Sequence, residues 1–590
     1  MCLSNQQPPL RCYQSTVAAT SLESSYYYKQ CGGSGTVLSS TQPRRSCETS
    51  SPVRWYARHR LDKEVKDFID SIEPSLICQL ASSLHPEKKP CQLFSEVKKG
   101  SHNVCYPVVF THAAGDIPNV KSTQSPERWM IRIPLLPRLA FPEEKMRGEI
   151  ATMKYIAEKT TTPIPHLIRY SINRDNIIGL PFMAVEYIAG KTLHGTDVPR
   201  LPEGLKSHLF DQLADVYIQL YRQQFDRVGA LTLDSNDENW VFEHNRPLTI
   251  EVNDQEVSGM KSSDIIPAHQ TYNSTVDYAY AILKLIFNDF YHGKDSVFNE
   301  KDARNYLYGM FASQGIVMEW VDRKANHGPF ILMHGDFRPP NIFVDENLNI
   351  TSIIDWEWSH TVPPQMFVPP SWITGQELPA ATEKPYDFEF TVYVSQFQLA
   401  AREREDKYYN PDKKLKFVLP LVKLWNNHLM SDTMFIASAL LKPCYFGNVY
   451  WNLLDHMYYG YDSGKRVENF FKLHLRRPQE KELQRVLSDL EIFKEKLSLA
   501  GLEPIEPLQH SILDLAKGKD LDASSQSSED TAIHRLWRKP NLERIVGLFR
   551  RWLPCSLVGV SVFICIIVAK RRPSSGMLPP GLYTSFFMRE

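Results

Sequence analysis

Residues 331–358 read ILMHGDFRPPNIFVDENLNITSIIDWEW. His334-Gly335-Asp336 closes an apolar, strand-like run, Asn341 follows Asp336 by five residues, and Asp355 ends a second apolar run, Thr351–Ile354. The stretches NIFV and NITSII flank Asp345-Glu346-Asn347, whose turn-forming residues predict a β-hairpin. Such a hairpin brings the residue before its first strand beside the residue after its second. Asn341 and Asp355 become neighbours, with Asp336 in the loop behind them. Two carboxylates and an amide oxygen gathered this way suit a hard cation such as Mg2+, which takes oxygen ligands and leaves room for phosphate oxygens.

Working outward, strand-like runs occur at Cys105–Phe110, Trp129–Ile133 and Phe182–Tyr187, with one amphipathic helix, Glu143–Lys159, between the last two. A helical stretch, LDKEVKDFIDSI, begins at Leu61. From about residue 203 the patterns become long and helical (LKSHLFDQLADVYIQLYRQQF, VDYAYAILKLIFNDFY), and they dominate again over about 388–500. The expectation is an α+β fold in which a small strand-rich lobe precedes a large, mainly helical lobe interrupted by one hairpin. The boundaries read 1–55 for a polar, disordered tail, 56–193 for the first lobe and 194–502 for the helical lobe, which holds the 331–358 loop. They continue with 503–549 for a polar linker, 550–572 for a candidate transmembrane helix and 573–590 for a tail.

The chain has 590 residues with 67 Lys+Arg against 68 Asp+Glu, a net charge of -1 that offers no broad field for nucleic acid. Its 10 Cys include no CxxC pair and no Cys/His cluster of zinc spacing, which fits a reduced, cytosolic setting. No apolar stretch follows Met1 as in a secretory signal. The uncharged run Leu553–Ala569, bracketed by basic residues, is near the shortest length that spans a bilayer and predicts a tail anchor with the catalytic region in the cytoplasm.

The pattern HGD, four residues, Asn341, then a strand ending Ile354-Asp355-Trp356 resembles the aminoglycoside phosphotransferase family, the choline kinase-like and protein-kinase-like small-molecule kinases. The wording of FDRVGALTL, NRPLTIEVND and the 334–364 stretch is similar to a fungal branch of that family, and the resemblance covers about residues 95–470. It implies a bilobal protein-kinase-like fold, ATP and Mg2+ as cofactors, and transfer of the γ-phosphate to a hydroxyl of a small molecule. Under it, Asp336 is the catalytic base, Asn341 and Asp355 hold Mg2+, and His334 braces the loop.

The same resemblance assigns a nucleotide site. Arg132, in WMIRIP, stands at the strand position of a phosphate-binding Lys. Glu149 falls on the Met146, Ile150, Met153, Ile156 stripe of the following helix, where a carboxylate needs a partner, and Arg132 supplies it. Ser101 and Asn103, in Gly100–Cys105, sit where a phosphate loop is expected, though only one glycine is present. Phe182–Ile188 matches a hinge, where the backbone at Glu186 and Ile188 would pair with adenine.

Asp355 is followed by Trp356-Glu357-Trp358 and then Ser359–Pro364, without the usual activation loop or peptide-docking segment, so the acceptor is expected to be a small molecule. Trp320, Trp372, Trp425 and Trp451 could cage a cationic acceptor or fill the core. Arg for Lys and the glycine-poor loop leave a second reading open, a catalytically degenerate kinase fold that binds a ligand or partner, tethered to a membrane through its tail.

Overall fold

The computed structural model describes residues 55–111, 126–294, 296–382, 386–409, 420–428, 432–460 and 462–499. The N-terminal tail, the linker and the Leu553–Ala569 run lie outside the described residues.

The first lobe is built on a six-stranded antiparallel sheet. Its strands are β1 (Cys91–Leu93), β2 (Lys98–Lys99), β3 (Asn103–Phe110), β4 (Arg128–Pro134), β5 (Leu167–Ser171) and β6 (Phe182–Glu186), in the order β1-β3-β4-β6-β5 with β2 beside β3. Side chains alternate across a strand, so each face collects every second residue. Val104, Tyr106 and Val108 of β3, Trp129, Ile131 and Ile133 of β4 and Ala184 of β6 fall on one face. That face packs on Val65 from α1 (Trp55–Asp70), Ile72 from the turn after it, and Ile77 and Leu80 from α2 (Pro74–Leu84). Cys105, Met130, Arg132 and Val185 occupy the other face and line a cleft. A one-residue slip would send Arg132 into the apolar layer, which is why register matters here.

α3 (Pro142–Lys159) packs beside this sheet. Pro142 opens it where a missing N–H costs nothing, Glu143 and Glu144 sit in its first turn and Lys159 in its last, as the helix dipole favours. Its buried stripe includes Met146, Glu149, Ile150, Met153 and Ile156.

The second lobe carries long helices, α4 (Glu203–Tyr221), α5 (Ile250–Val257), α6 (Thr275–His292) and α7 (Glu300–Trp320). Ser274 and Asn299 cap α6 and α7 by accepting the N–H of Asp277 and Asp302, respectively. Short strands run between the helices. In chain order these are β7 (Lys191–Thr192), β8 (Gln224–Phe225), β9 (Thr232–Leu233), β10 (Trp240–Val241), β11 (Phe330–Met333), β12 (Ile342–Val344), β13 (Ile350–Ile353) and β14 (His360–Val362). They form β14-β11-β8, β13-β12-β7 and β10-β9. The sequence predicts a single hairpin here, and β12–β13 is that hairpin. The others run two to four residues, too short to display a two-residue period.

The tryptophans belong to the core. Trp320, Trp372 and Trp425 are buried, and their indole N–H groups donate to the carbonyls of Thr433, Phe337 and Phe367. Trp451 packs against Tyr308 and Tyr450, and none of the four lines the cleft. Each of residues 356–370 is buried, so the chain after Asp355 dives through the interior.

Candidate active site

His334 follows β11 and is buried. One ring nitrogen, Nε2, lies 2.9 Å from the Ile354 carbonyl while Nδ1 accepts the Asp336 N–H at 3.1 Å. A neutral imidazole with its proton on Nε2 satisfies both, so His334 ties the loop to the end of β13, in the bracing position expected of it. Between His334 and Asp336, a Cβ on Gly335 would lie 2.0 Å from the Trp358 carbonyl oxygen, so the two loops touch at backbone distance.

Burial lowers the pKa of both His334 and His360. A histidine whose folded pKa lies below its unfolded value of about 6.5 takes a proton more readily when unfolded. Its contribution is fully present above that value and is lost as the pH falls towards the folded pKa, by up to about 1.4 kcal/mol per pH unit per imidazole. His360, paired through Tyr278 and the Trp358 carbonyl, stands away from the cleft. His360→Gln is therefore expected to flatten the loss of stability between about pH 7 and 5.5 in urea denaturation; an unchanged slope would remove His360 from this account.

Asp336 Oδ2 accepts Arg338 Nε at 2.7 Å and Asn341 Nδ2 at 3.2 Å, and Asn341 Nδ2 also reaches the Asp336 carbonyl at 2.9 Å. The hairpin pairs Ile342 with Ile353, and the Ile354 N–H donates to the Asn341 carbonyl at 2.9 Å, so Asn341 and Asp355 flank its open end. The Asp345 carboxylate closes the other end by accepting the N–H groups of Asn347 and Asn349. Asp355 adopts a left-handed backbone, φ +63, a conformation that costs a side-chain-bearing residue about 1 kcal/mol or more and clusters at functional sites.

Arg132 forks between two carboxylates, Glu149 and Asp355. Nη1 binds Glu149 Oε1 at 2.7 Å and Nη2 binds Asp355 Oδ1 at 2.5 Å. Two residues that the sequence reading does not single out complete the network. Lys145 Nζ lies 2.5 Å from Glu357 Oε2 and 3.5 Å from Glu149 Oε2, and Asn103 donates to Glu357 Oε2 at 2.7 Å while accepting Lys145 at 3.2 Å. Burial alone would raise the Glu357 carboxyl, but Lys145, His102 and Arg132 hold it well below the usual carboxylate range. Signals for both residues exist in the chain. Lys145 precedes Glu149 by one helical turn, and Glu357 is the second residue after Asp355.

Carboxylate oxygens of Glu149, Asp355 and Glu357 lie within 4.8 Å of one another. Arg132 and Lys145 sit among them, so this cluster is an ion network. The donors left for a cation are oxygens of Asp355, Asn341 and Asp336, whose remaining atoms are engaged as described. An all-oxygen set fits Mg2+.

A cavity of about 780 Å³ gathers Ser101, Asn103, Arg132, Asp336, Asp355 and Glu357 on one wall and Glu186 and Ile188 on another. Two predicted residues stand behind the wall. Asn341 is buried beneath Asp336, and Glu149 is buried behind Arg132. The Asn103 amide is used at both ends, by Glu357 and by Lys145. Burial pushes the cleft thiol of Cys105 up to about 11, so it stays protonated at neutral pH.

Residues 116–366 match the model described as the phosphotransferase enzyme family. Among curated proteins, the chain is 30% identical over 94 residues to "Altered inheritance of mitochondria protein 9, mitochondrial" of Clavispora lusitaniae, covering 15% of this chain and 16% of that protein. It is 25% identical over 145 residues to the protein of the same name from Meyerozyma guilliermondii, covering 24% of this chain and 22% of that protein. The matches thus span less than a quarter of those fungal relatives. Among solved structures, the GDP and kanamycin complex of APH(2")-IIia is 14% identical, covering 62% of this chain and 96% of that chain with a TM-score of 0.32. The aminoglycoside phosphotransferase APH(4)-Ia is 12% identical, covering 67% of this chain and 94% of that chain with a TM-score of 0.30. The relatives' mitochondrial names overturn the cytoplasmic placement expected from the sequence. Among the described residues no helix is long and apolar enough to cross a membrane, and the Leu553–Ala569 run expected to do so lies outside them.

Proposed function

Because the chain carries a domain of the phosphotransferase enzyme family over residues 116–366, we propose that it transfers the γ-phosphate of ATP, with Mg2+, to a hydroxyl of a small molecule. The observation that carries this reading is the convergence of Asp336 and Asp355, from the two chain segments that enter and leave the open end of one hairpin, on the cleft that Arg132 and the hinge residues also line.

In this reading Asp336 orients the acceptor hydroxyl and takes its proton, and the Arg338 guanidinium and the Asn341 amide hold its carboxylate in place. Asp355 and Asn341 would hold Mg2+, which would supply positive charge to offset that on the phosphoryl group. Arg132, backed by Glu149, presents a guanidinium to phosphate oxygens. The backbone at Glu186 and Ile188 holds the base, and the 100–105 loop covers the phosphates. Burial of residues 356–370 supports a small acceptor, since that stretch presents no surface for a peptide to dock on. The names of the fungal relatives support a mitochondrial setting, which imaging of a tagged chain checks.

The test is a thermal shift with ATP, with and without Mg2+. At a hundredfold excess over Kd, Mg·ATP is expected to raise Tm by roughly 3 °C, and Asp355→Ala should abolish the Mg2+ dependence. No rise in the wild-type protein at saturating Mg·ATP would remove the reading. A second reading is a non-catalytic binding module. It is favoured by the guanidinium on each of the two carboxylates, Arg338 on Asp336 and Arg132 on Asp355. Mg·ATP binding with no release of ADP across a screen of hydroxyl metabolites would favour it.

A further inference from the structure

Glu357 belongs to the second lobe, in the loop after β13, and its carboxylate is buried. Among the described residues the donors around that carboxylate come from the first lobe. They are Asn103 Nδ2 at 2.7 Å, Lys145 Nζ at 2.5 Å and His102 Nδ1 at 3.3 Å, with Arg132 Nη2 further off at 4.0 Å. Lys145 then reaches Glu149, and Arg132 links Glu149 to Asp355. The charges alternate along Asp355, Arg132, Glu149, Lys145 and Glu357, and the ends of the chain are two residues apart in one loop. A buried pair of this kind is poor value as a stabiliser, because desolvation consumes most of its Coulombic gain and apolar replacements often do as well. What an apolar pair cannot do is hold three separate elements at fixed polar distances from a metal-binding carboxylate.

We propose that Glu357 is a positioning residue for the phosphates. Through His102 and Asn103 it fixes the 100–105 loop, through Lys145 it fixes α3 and hence the Glu149–Arg132 fork, and all three are thereby set against Asp355. This rests on the Mg·ATP reading and adds to it a residue that acts through its partners on the loop, the helix and the fork. The signature is selective, because the phosphate end of the ligand depends on the loop and the fork whereas the adenosine end depends on the hinge.

The experiment titrates the full chain, wild type and Glu357→Gln, with Mg·ATP and separately with adenosine by calorimetry. Glu357→Gln is expected to weaken Mg·ATP by at least about tenfold, the worth of one charge-assisted contact, with adenosine affinity unchanged. Equal Mg·ATP affinity in the two proteins overturns the proposal, as does an equal loss for both ligands, which marks a damaged fold. Failure of the wild type to bind Mg·ATP overturns the phosphotransferase reading instead. Should Glu357→Gln not fold, the paired Lys145→Met/Glu357→Leu variant removes both charges. The same selective loss is expected in it, and recovery of wild-type Mg·ATP affinity overturns the proposal.

Discussion

Asp336→Asn is expected to lower kcat for phosphoryl transfer by about 10²–10⁴-fold, the range for removing a positioned general base, while Mg·ATP affinity stays within about threefold of wild type. The separation follows from the geometry. Asn keeps the size of the side chain and an oxygen that can accept from Arg338 Nε and Asn341 Nδ2, so the loop has no reason to move. What disappears is the negative charge and the capacity to take a proton. Single-turnover measurement with a bound acceptor reads this directly, and turnover at the wild-type rate would remove Asp336 from the base role. A matching loss of Mg·ATP binding would move it among the metal ligands.

Gly335→Ala should cost at least about 3 kcal/mol of stability, at the top of the range for overpacking. The added Cβ would sit 2.0 Å from the Trp358 carbonyl oxygen and 2.6 Å from Trp358 Cβ. Neither can yield cheaply. Trp358 is itself buried, and the chain beside it is pinned by β14, whose His360 pairs with Met333 at the end of β11. Separating the loops would also stretch the bond between His334 and Ile354 that sets where Asp336 and Asp355 stand. Urea denaturation of the purified variant checks this, and a midpoint within about 1 kcal/mol of wild type would show that the loops part more easily than their packing implies.

The hairpin was legible because its two apolar runs and its Asp345-Glu346-Asn347 centre are local signals, and a hairpin needs no distant residue to define it. For Glu149 the local signal announced only a missing partner, a carboxylate on a stripe of Met and Ile, and the family resemblance supplied Arg132 as that partner. Glu357 was not, because its partners lie up to 255 residues away in sequence, from His102 onward, and no pattern within one element points to them. Lys145 was passed over because a lysine at the start of a helix reads as solvated, whereas here it is almost fully buried. The short strands β8, β9, β10 and β14 are held by tertiary packing, so their segments lack a period of their own. The tryptophans divided between cage and core only when their indole N–H groups were seen to donate to backbone carbonyls. The placement within the cell rested on cysteine usage, the lack of an apolar stretch after Met1 and the Leu553–Ala569 run, none of which names an organelle.

Residues 356–370 are buried without a break, and the only hydroxyls in the stretch, Ser359 and Thr361, are enclosed with it, Thr361 donating to the Arg227 carbonyl. A modifying enzyme must draw several residues of its target into an extended groove, which here would require unthreading β14 from β11. Covalent modification of Ser359 or Thr361, in the segment beside Asp355, would therefore first require that packing to open.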